Sequence, residues 1–186
     1  MRGMRLASYN LRKCLGTDRR RDPVRSAAVI AGLGADVVAL QEVDHRLGDR
    51  PAALSARLIE AETGLVPVDL ALSPVSLGWH GQSLLVRPGT TVRAARRIDL
   101  PGLEPRGAVM AEVAPPGAGP IRVVGVHLGL VRRWRRLQLH AIRAWLDGME
   151  ELGTAILGDF NEWSPVRGTE PLEGGFTPHA PGLSLH

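Results

Sequence analysis

Between Asp36 and Gln41 the chain runs Val37, Val38, Ala39, Leu40 without a polar residue. A run this short, bounded by polar residues, reads as a strand, and a strand without polar alternation has to be covered on both faces.

The neighbouring pattern supplies what would cover it. Arg5 to Tyr9 reads as a strand ending at Asn10. Asp22-Pro23 offers an N-cap followed by proline at the first helical position, predicting a helix to about Leu33 that Gly32 and Gly34 stop. A second helix is expected from Ala52 to Thr63, with Leu54, Leu58 and Ile59 at helical spacing and Gly64 as its stop. Strands are expected near Val66 to Leu72, Ser83 to Val86, Thr91 to Ile98, Ala108 to Val113 and Ile121 to Leu128, with turns at Pro88-Gly89 and Pro115-Pro116-Gly117. A long helix from Arg132 to Leu152 carries Leu139, Ile142, Leu146 and Met149 on one stripe, and Ala155-Ile156-Leu157 forms another buried strand ending in Gly158-Asp159. Helix-strand units at both ends of a β-rich middle predict an α/β fold of two sheets packed face to face with helices outside.

With 186 residues the chain suits one domain, spanning 1–186. Fractions of 44% hydrophobic and 23% charged exclude a disordered chain, a collagen-like repeat and a charged coiled coil. The net charge is only +4, and the basic residues are all arginine except Lys13, so the placement of arginine says more than its number. Cys14 is the only cysteine and has no intrachain partner, and the start of the chain shows no secretory apolar core, so a reducing, cytoplasmic setting is expected. The longest uncharged run, Leu70 to Val86, is interrupted by Ser73, Pro74, Ser76, Gly78, Gly81, Gln82 and Ser83, which excludes it as a membrane span.

Three strand ends carry a compact polar signature: Ser8-Tyr9-Asn10, Gln41-Glu42-Val43 and Gly158-Asp159-Phe160-Asn161. Strand ends are where α/β proteins gather ligands. Asn, Glu and Asp offer hard oxygen donors, and a small set of them leaves room for water and a phosphate oxygen around Mg²⁺. Taken singly, Asn10 also reads as a turn residue, Glu42 as a solvated loop acid, and Asp159 with Asn161 as an Asx turn. His127 also reads as a packed histidine between Gly125 and Gly129.

Taken in order, these motifs and Ala35 to Val43, Gln82-Ser83-Leu84-Leu85, Val126-His127-Leu128 and Arg136-Leu137-Gln138 resemble the endonuclease/exonuclease/phosphatase superfamily. The resemblance implies a four-layer α/β/β/α sandwich that hydrolyses phosphate esters with a divalent metal, Mg²⁺ or Mn²⁺ in its place. By the same resemblance Glu42 would be the main metal ligand, and Asn10 would help hold the metal or the phosphate. His127 would face a phosphate oxygen, Asp159 would position or deprotonate the attacking water, and Asn161 would bind the phosphate. Arg132, Arg133, Arg135 and Arg136 open a helix at the end its dipole makes unfavourable for cations, which a phosphate-bearing substrate would justify, with Arg136 as the substrate contact and Trp134 free to stack on a base. A solvated arginine face with Trp134 in the core is the other reading. The substrate is expected to be a phosphate ester, with nucleic acid as one candidate.

The superfamily normally ends with a late Asp and an Asp-His pair acting as base and orienting group. After Asp159 this sequence has no Asp, and its later histidines are His179 and His186. The chain is therefore expected to be C-terminally incomplete, lacking two strands, with exposed sheet edges that leave it poorly stable or prone to associate. Two functions follow as expectations: a metal-dependent phosphodiesterase, or a non-catalytic phosphate- or nucleic-acid-binding module on the same fold.

Overall fold

The computed structural model describes residues 3–164 and 167–179. In chain order the elements are β1 (Leu6–Asn10), α1 (Pro23–Gly32), β2 (Val37–Gln41), α2 (Ala56–Thr63), β3 (Val66–Pro67), β4 (Gln82–Val86), β5 (Thr91–Leu100), β6 (Arg106–Ala114), β7 (Ile121–His127), α3 (Arg132–Asp147) and β8 (Thr154–Asp159). Short 3-10 turns occupy Arg12–Cys14 and Glu170–Leu172. None of the helices is long and apolar enough to cross a membrane, among the described residues.

The strands form two mixed four-stranded sheets, ordered β1-β2-β4-β3 and β5-β6-β7-β8. β1 and β2 are parallel, as are β7 and β8, and the remaining pairs are antiparallel. The apolar run Val37 to Leu40 lies in β2, all five residues of which are buried. Its alternate side chains serve two different cores. Val38 and Leu40 pack outward against Ala27 and Ile30 of α1 and Ile59 of α2. Val37 and Ala39 pack inward, with Leu84 and Val86 of β4, against Val109, Ala111 and Val123 of the second sheet. On the far side, Met110, Val124 and Val126 meet Leu139, Ile142 and Leu146 of α3. The layers are therefore α/β/β/α, as expected, and their boundaries follow from the period-two alternation of strands buried on both faces.

Local signals were kept where their partners are local. The Asp22 side chain caps α1 by accepting the Arg25 N–H at 2.9 Å, and Gly64 ends α2 in the left-handed conformation at φ 66°. Three boundaries differ from expectation by four residues or more. α2 starts at Ala56 rather than Ala52, because the Ala52 N–H is bonded to Val75 O at 2.8 Å and Ser55 supplies the cap. The expected Val66 to Leu72 strand pairs only over Val66–Pro67, after which Val68 makes one further bond, to Leu84 O, before the chain leaves the sheet. α3 ends at Asp147, with Gly148 at its C-cap, so Met149 packs on the third core from beyond the helix. Among the described residues β1 and β8 each pair on one side only, and the side chains of β8 are half-buried. Of the expected C-terminal loop, residues 174–179 contain no helix or strand, and 180–186, with His186, lie outside the described residues.

Candidate active site

Parity along the strands decides which polar side chains meet. Asn10 ends β1 opposite Gln41, and His127 ends β7 opposite Asp159. Leu6, Val37, Val123 and Leu157 face the space between the sheets, and the alternation carries Asn10, Gln41, His127 and Asp159 to that same side. The parallel pairing brings each pair to one end of its sheet, and the contact of Asn10 with Asp159 puts both pairs at the same end of the sandwich.

One amide ties the two sheets together there. Asn10 Nδ2 donates to Asp159 Oδ2 at 3.0 Å and reaches Glu42 Oε1 at 3.5 Å, while Asn10 Oδ1 accepts the Arg12 N–H at 3.0 Å. Asp159 Oδ1 accepts the Asn161 N–H at 2.9 Å, and Asn161 Nδ2 donates to Leu128 O at 2.7 Å. The Asx turn foreseen at Asp159 thus exists, and it coexists with the cluster rather than replacing it. His127 Nε2 lies 3.8 Å from Asp159 Oδ2. Glu42 Oε2 accepts from Lys13 Nζ.

Two of these residues sit in strained backbone. Glu42 has φ 53° and Asn161 φ 49°. The left-handed region costs an L-residue about 1–2 kcal/mol, tolerated more readily by Asn than by Glu. At Glu42 the turn is held by Lys13 N–H to Glu42 O at 3.1 Å and Val43 N–H to Gly81 O at 3.0 Å. Strain that the surroundings over-determine is a mark of functional sites.

Electrostatics separates the titratable groups. Burial works to raise the Glu42 carboxyl, but the hydrogen bond and charge of Lys13, helped by His127 and Asn10, hold it below the ordinary range. His127 is 6% exposed, and burial, with the nearby charge of Arg106, lowers its pKa against the pull of Asp159 and Glu42. The imidazole is therefore neutral at neutral pH and offers one N–H donor. Beneath the site, Ser8 Oγ donates to Gln41 Oε1 at 3.2 Å, Gln82 Nε2 donates to Gly107 O, and Trp79 lies against Gly107.

The structure brings together Asn10, Glu42, His127, Asp159 and Asn161 from the sequence reading. It does not bring Arg136, which stands exposed on α3 with no hydrogen bond or ion pair to the cluster among the described residues. Two of its neighbours have structural partners: Arg132 pairs with Glu170 at 3.0 Å, and the buried Arg135 pairs with Glu162 at 2.9 Å and donates to Leu130 O. Trp134 is half-buried, with the Arg133 guanidinium 5.7 Å from its ring centre. Sequence reasoning missed Lys13, although a single lysine among 22 arginines, three residues after Asn10, is a readable signal. It also missed Arg106, whose charge bears on His127.

The donor chemistry fits a hard divalent cation. The carboxylates of Glu42 and Asp159 and the amide oxygen of Asn10, which is turned toward the Arg12 N–H, are hard oxygen donors that suit an ion keeping waters and a substrate oxygen in its shell. No group of three or more His, Cys, Asp or Glu able to hold a metal occurs among the described residues, so a closed structural site of the zinc type is not formed here.

A family model described as "Endonuclease/Exonuclease/phosphatase family" matches residues 7–181. No curated protein matches the chain. Among solved structures, the endonuclease/exonuclease/phosphatase from Beutenbergia cavernae DSM 12333 is 26% identical with a TM-score of 0.60, over 86% of this chain and 48% of that one. A humanized D. rerio TDP2 is 18% identical with a TM-score of 0.65, over 87% and 63% of the two chains. The mannosyl-6-phosphatase of Bacteroides thetaiotaomicron VPI-5482 is 15% identical with a TM-score of 0.68, over 92% and 70%. The chain thus spans about half the length of the first of these proteins.

Proposed function

Because the chain belongs to the endonuclease/exonuclease/phosphatase family, we propose that it hydrolyses a phosphate ester, a phosphodiester in our reading, with a divalent cation, Mg²⁺ or Mn²⁺, held at Glu42 and Asn10. The observation that carries this is the single Asn10 amide spanning Glu42 and Asp159 across the two sheets, with neutral His127 beside them. That is a metal-binding carboxylate, a base and a donor gathered around one small volume at one end of the sandwich.

When bound, the cation supplies neutralisation of charge on the phosphate. The chain's own residues do the rest. Glu42 keeps its charge through Lys13 and Asn10 and so stays an anionic ligand at neutral pH. Asp159, its Oδ1 fixed by Asn161 N–H and its Oδ2 by Asn10, aims an attacking water and takes its proton. The neutral His127 ring donates to a phosphoryl oxygen where negative charge grows during in-line displacement. Asn161, anchored on Leu128 O, has a second amide hydrogen for another phosphate oxygen.

The test is hydrolysis of bis(p-nitrophenyl) phosphate with Mg²⁺, alongside p-nitrophenyl phosphate as the monoester and a labelled oligonucleotide as the polymeric ester. Turnover should vanish with EDTA, and Glu42→Gln should lower it about a hundredfold or more. Turnover that survives EDTA, or is unchanged by Glu42→Gln, would refute the mechanism. Oligonucleotide binding without turnover of any ester would replace it with a binding module.

A further inference from the structure

The turn that follows β1 holds the only lysine of the chain against the residue that the proposed function gives to the metal. Arg12, Lys13 and Cys14 are three consecutive left-handed residues, with φ of 48°, 54° and 61°. Such a run persists only where its surroundings hold it. Here Leu11 N–H bonds to Gln41 O at 2.8 Å, Lys13 N–H to Glu42 O at 3.1 Å, the Arg21 guanidinium to Lys13 O at 2.6 Å, and the Cys14 side chain is buried in the core. The Lys13 backbone is thereby fastened to the end of β2, and its ammonium lies on Glu42 Oε2 while Asn10 faces Oε1.

An ordinary surface ion pair does not account for this. The two side chains are only 18% and 22% exposed, and arginine is the cation everywhere else in the sequence. Lysine differs from arginine in presenting a compact point charge on a flexible four-carbon stem, able to exchange one anionic partner for another from a fixed backbone. Glu42, Asp159 and Lys13 together leave the cluster one negative charge, against two without the lysine. A divalent cation on Glu42 would repel the ammonium and free it to meet an incoming anion such as a phosphate.

We propose that Lys13 is a substrate-contacting residue, the second cation of the phosphate site, resting on Glu42 until a divalent ion takes that carboxylate and thereafter binding a phosphate oxygen. This rests on the phosphoesterase reading of the site. It assigns two opposite effects to one side chain: Lys13 competes with the metal and cooperates with the phosphate.

The experiment measures both on the whole chain. Mn²⁺ binding to metal-free protein is read by electron paramagnetic resonance of the free ion, and binding of inorganic phosphate in saturating Mg²⁺ by calorimetry. Lys13→Met should bind Mn²⁺ about tenfold more tightly and phosphate about tenfold more weakly. Lys13→Gln, which keeps a donor for Glu42 without its charge, should shift both constants the same way and serves if the methionine variant folds poorly. A merely structural role weakens both affinities together, and that result, or an unchanged affinity for either ion, overturns the proposal while wild-type binding of both leaves the phosphoesterase reading standing. A wild-type protein that binds neither Mn²⁺ nor phosphate brings down the reading itself.

Discussion

Asn10→Asp changes one group in the whole molecule, a donor amide that becomes an acceptor oxygen of the same size. The oxygen that accepts the Arg12 N–H is retained, so the turn after β1 keeps its anchor. What is lost is the 3.0 Å bond to the Asp159 carboxylate, worth about 1.5–3 kcal/mol net for a charged acceptor. The 3.5 Å approach to Glu42 stands at the limit of hydrogen bonding and is counted as nothing. What is gained is a third carboxylate beside two others. Repulsion of up to about 4 kcal/mol per pair at an effective dielectric of 20 is an upper bound. Asp159 is 32% exposed and Lys13 sits on Glu42, so solvent and ammonium reduce the sum to about 1–2 kcal/mol. The total penalty is about 3–5 kcal/mol at pH 7, a large share of an ordinary domain's stability. Asn10→Ala loses the bond to Asp159 and also the exposed one from the Arg12 N–H, which water replaces at little cost, so it should cost about 1.5–3 kcal/mol. Urea denaturation in EDTA of wild type and both variants measures the difference. The excess of Asn10→Asp over Asn10→Ala should shrink at high salt. If Asn10→Asp proves no less stable than Asn10→Ala at pH 7 in EDTA, the two carboxylates do not face this amide, and the geometry argued for the site is wrong.

Gly158 has φ 149°, and a Cβ there would stand 1.9 Å from Val126 O. Gly158→Ala should therefore cost about 3 kcal/mol or more by forcing β8 away from β7 just before Asp159, and a loss below about 1 kcal/mol in the same urea assay would contradict this. His127 has its folded pKa pushed down by burial, so folding favours the neutral ring. The stability this contributes is present above the ordinary value of about 6.5 and is lost as pH falls through the lower folded value. Between about pH 7.5 and 5.5 the melting temperature should fall further in wild type than in His127→Asn. His80, whose pKa is also lowered by burial, acts equally in both proteins and cancels. Equal falls would show that His127 is not buried as a neutral group.

The layered fold was legible because strands buried on both faces leave an unmistakable mark. Val37 to Leu40 suited a strand buried on both faces, and the Asp22-Pro23 and Gly64 signals needed no distant partner to act. Asn10, Glu42 and Asp159 were legible for a related reason, since each is the polar residue at which an apolar strand ends. Element boundaries that depend on remote partners were not legible. The start of α2 is decided by Val75, which bonds Ala52 from 23 positions further along the chain. The arginines at the head of α3 looked like one phosphate-facing group, yet two of them are partnered by Glu162 and Glu170, acids that only the folded chain brings near.

The residues and their alternation thus determined by themselves which side chains are inward and which strand ends carry oxygen donors, because local stereochemistry and solvent exclusion act over a few residues at a time. Only the tertiary structure decided that the ends of β1 and β8, 149 residues apart at Asn10 and Asp159, share one amide. It alone placed the Lys13 ammonium on Glu42. Charge pairing acts through space, and no periodicity along the chain records the distance between two groups that the packing of two sheets sets.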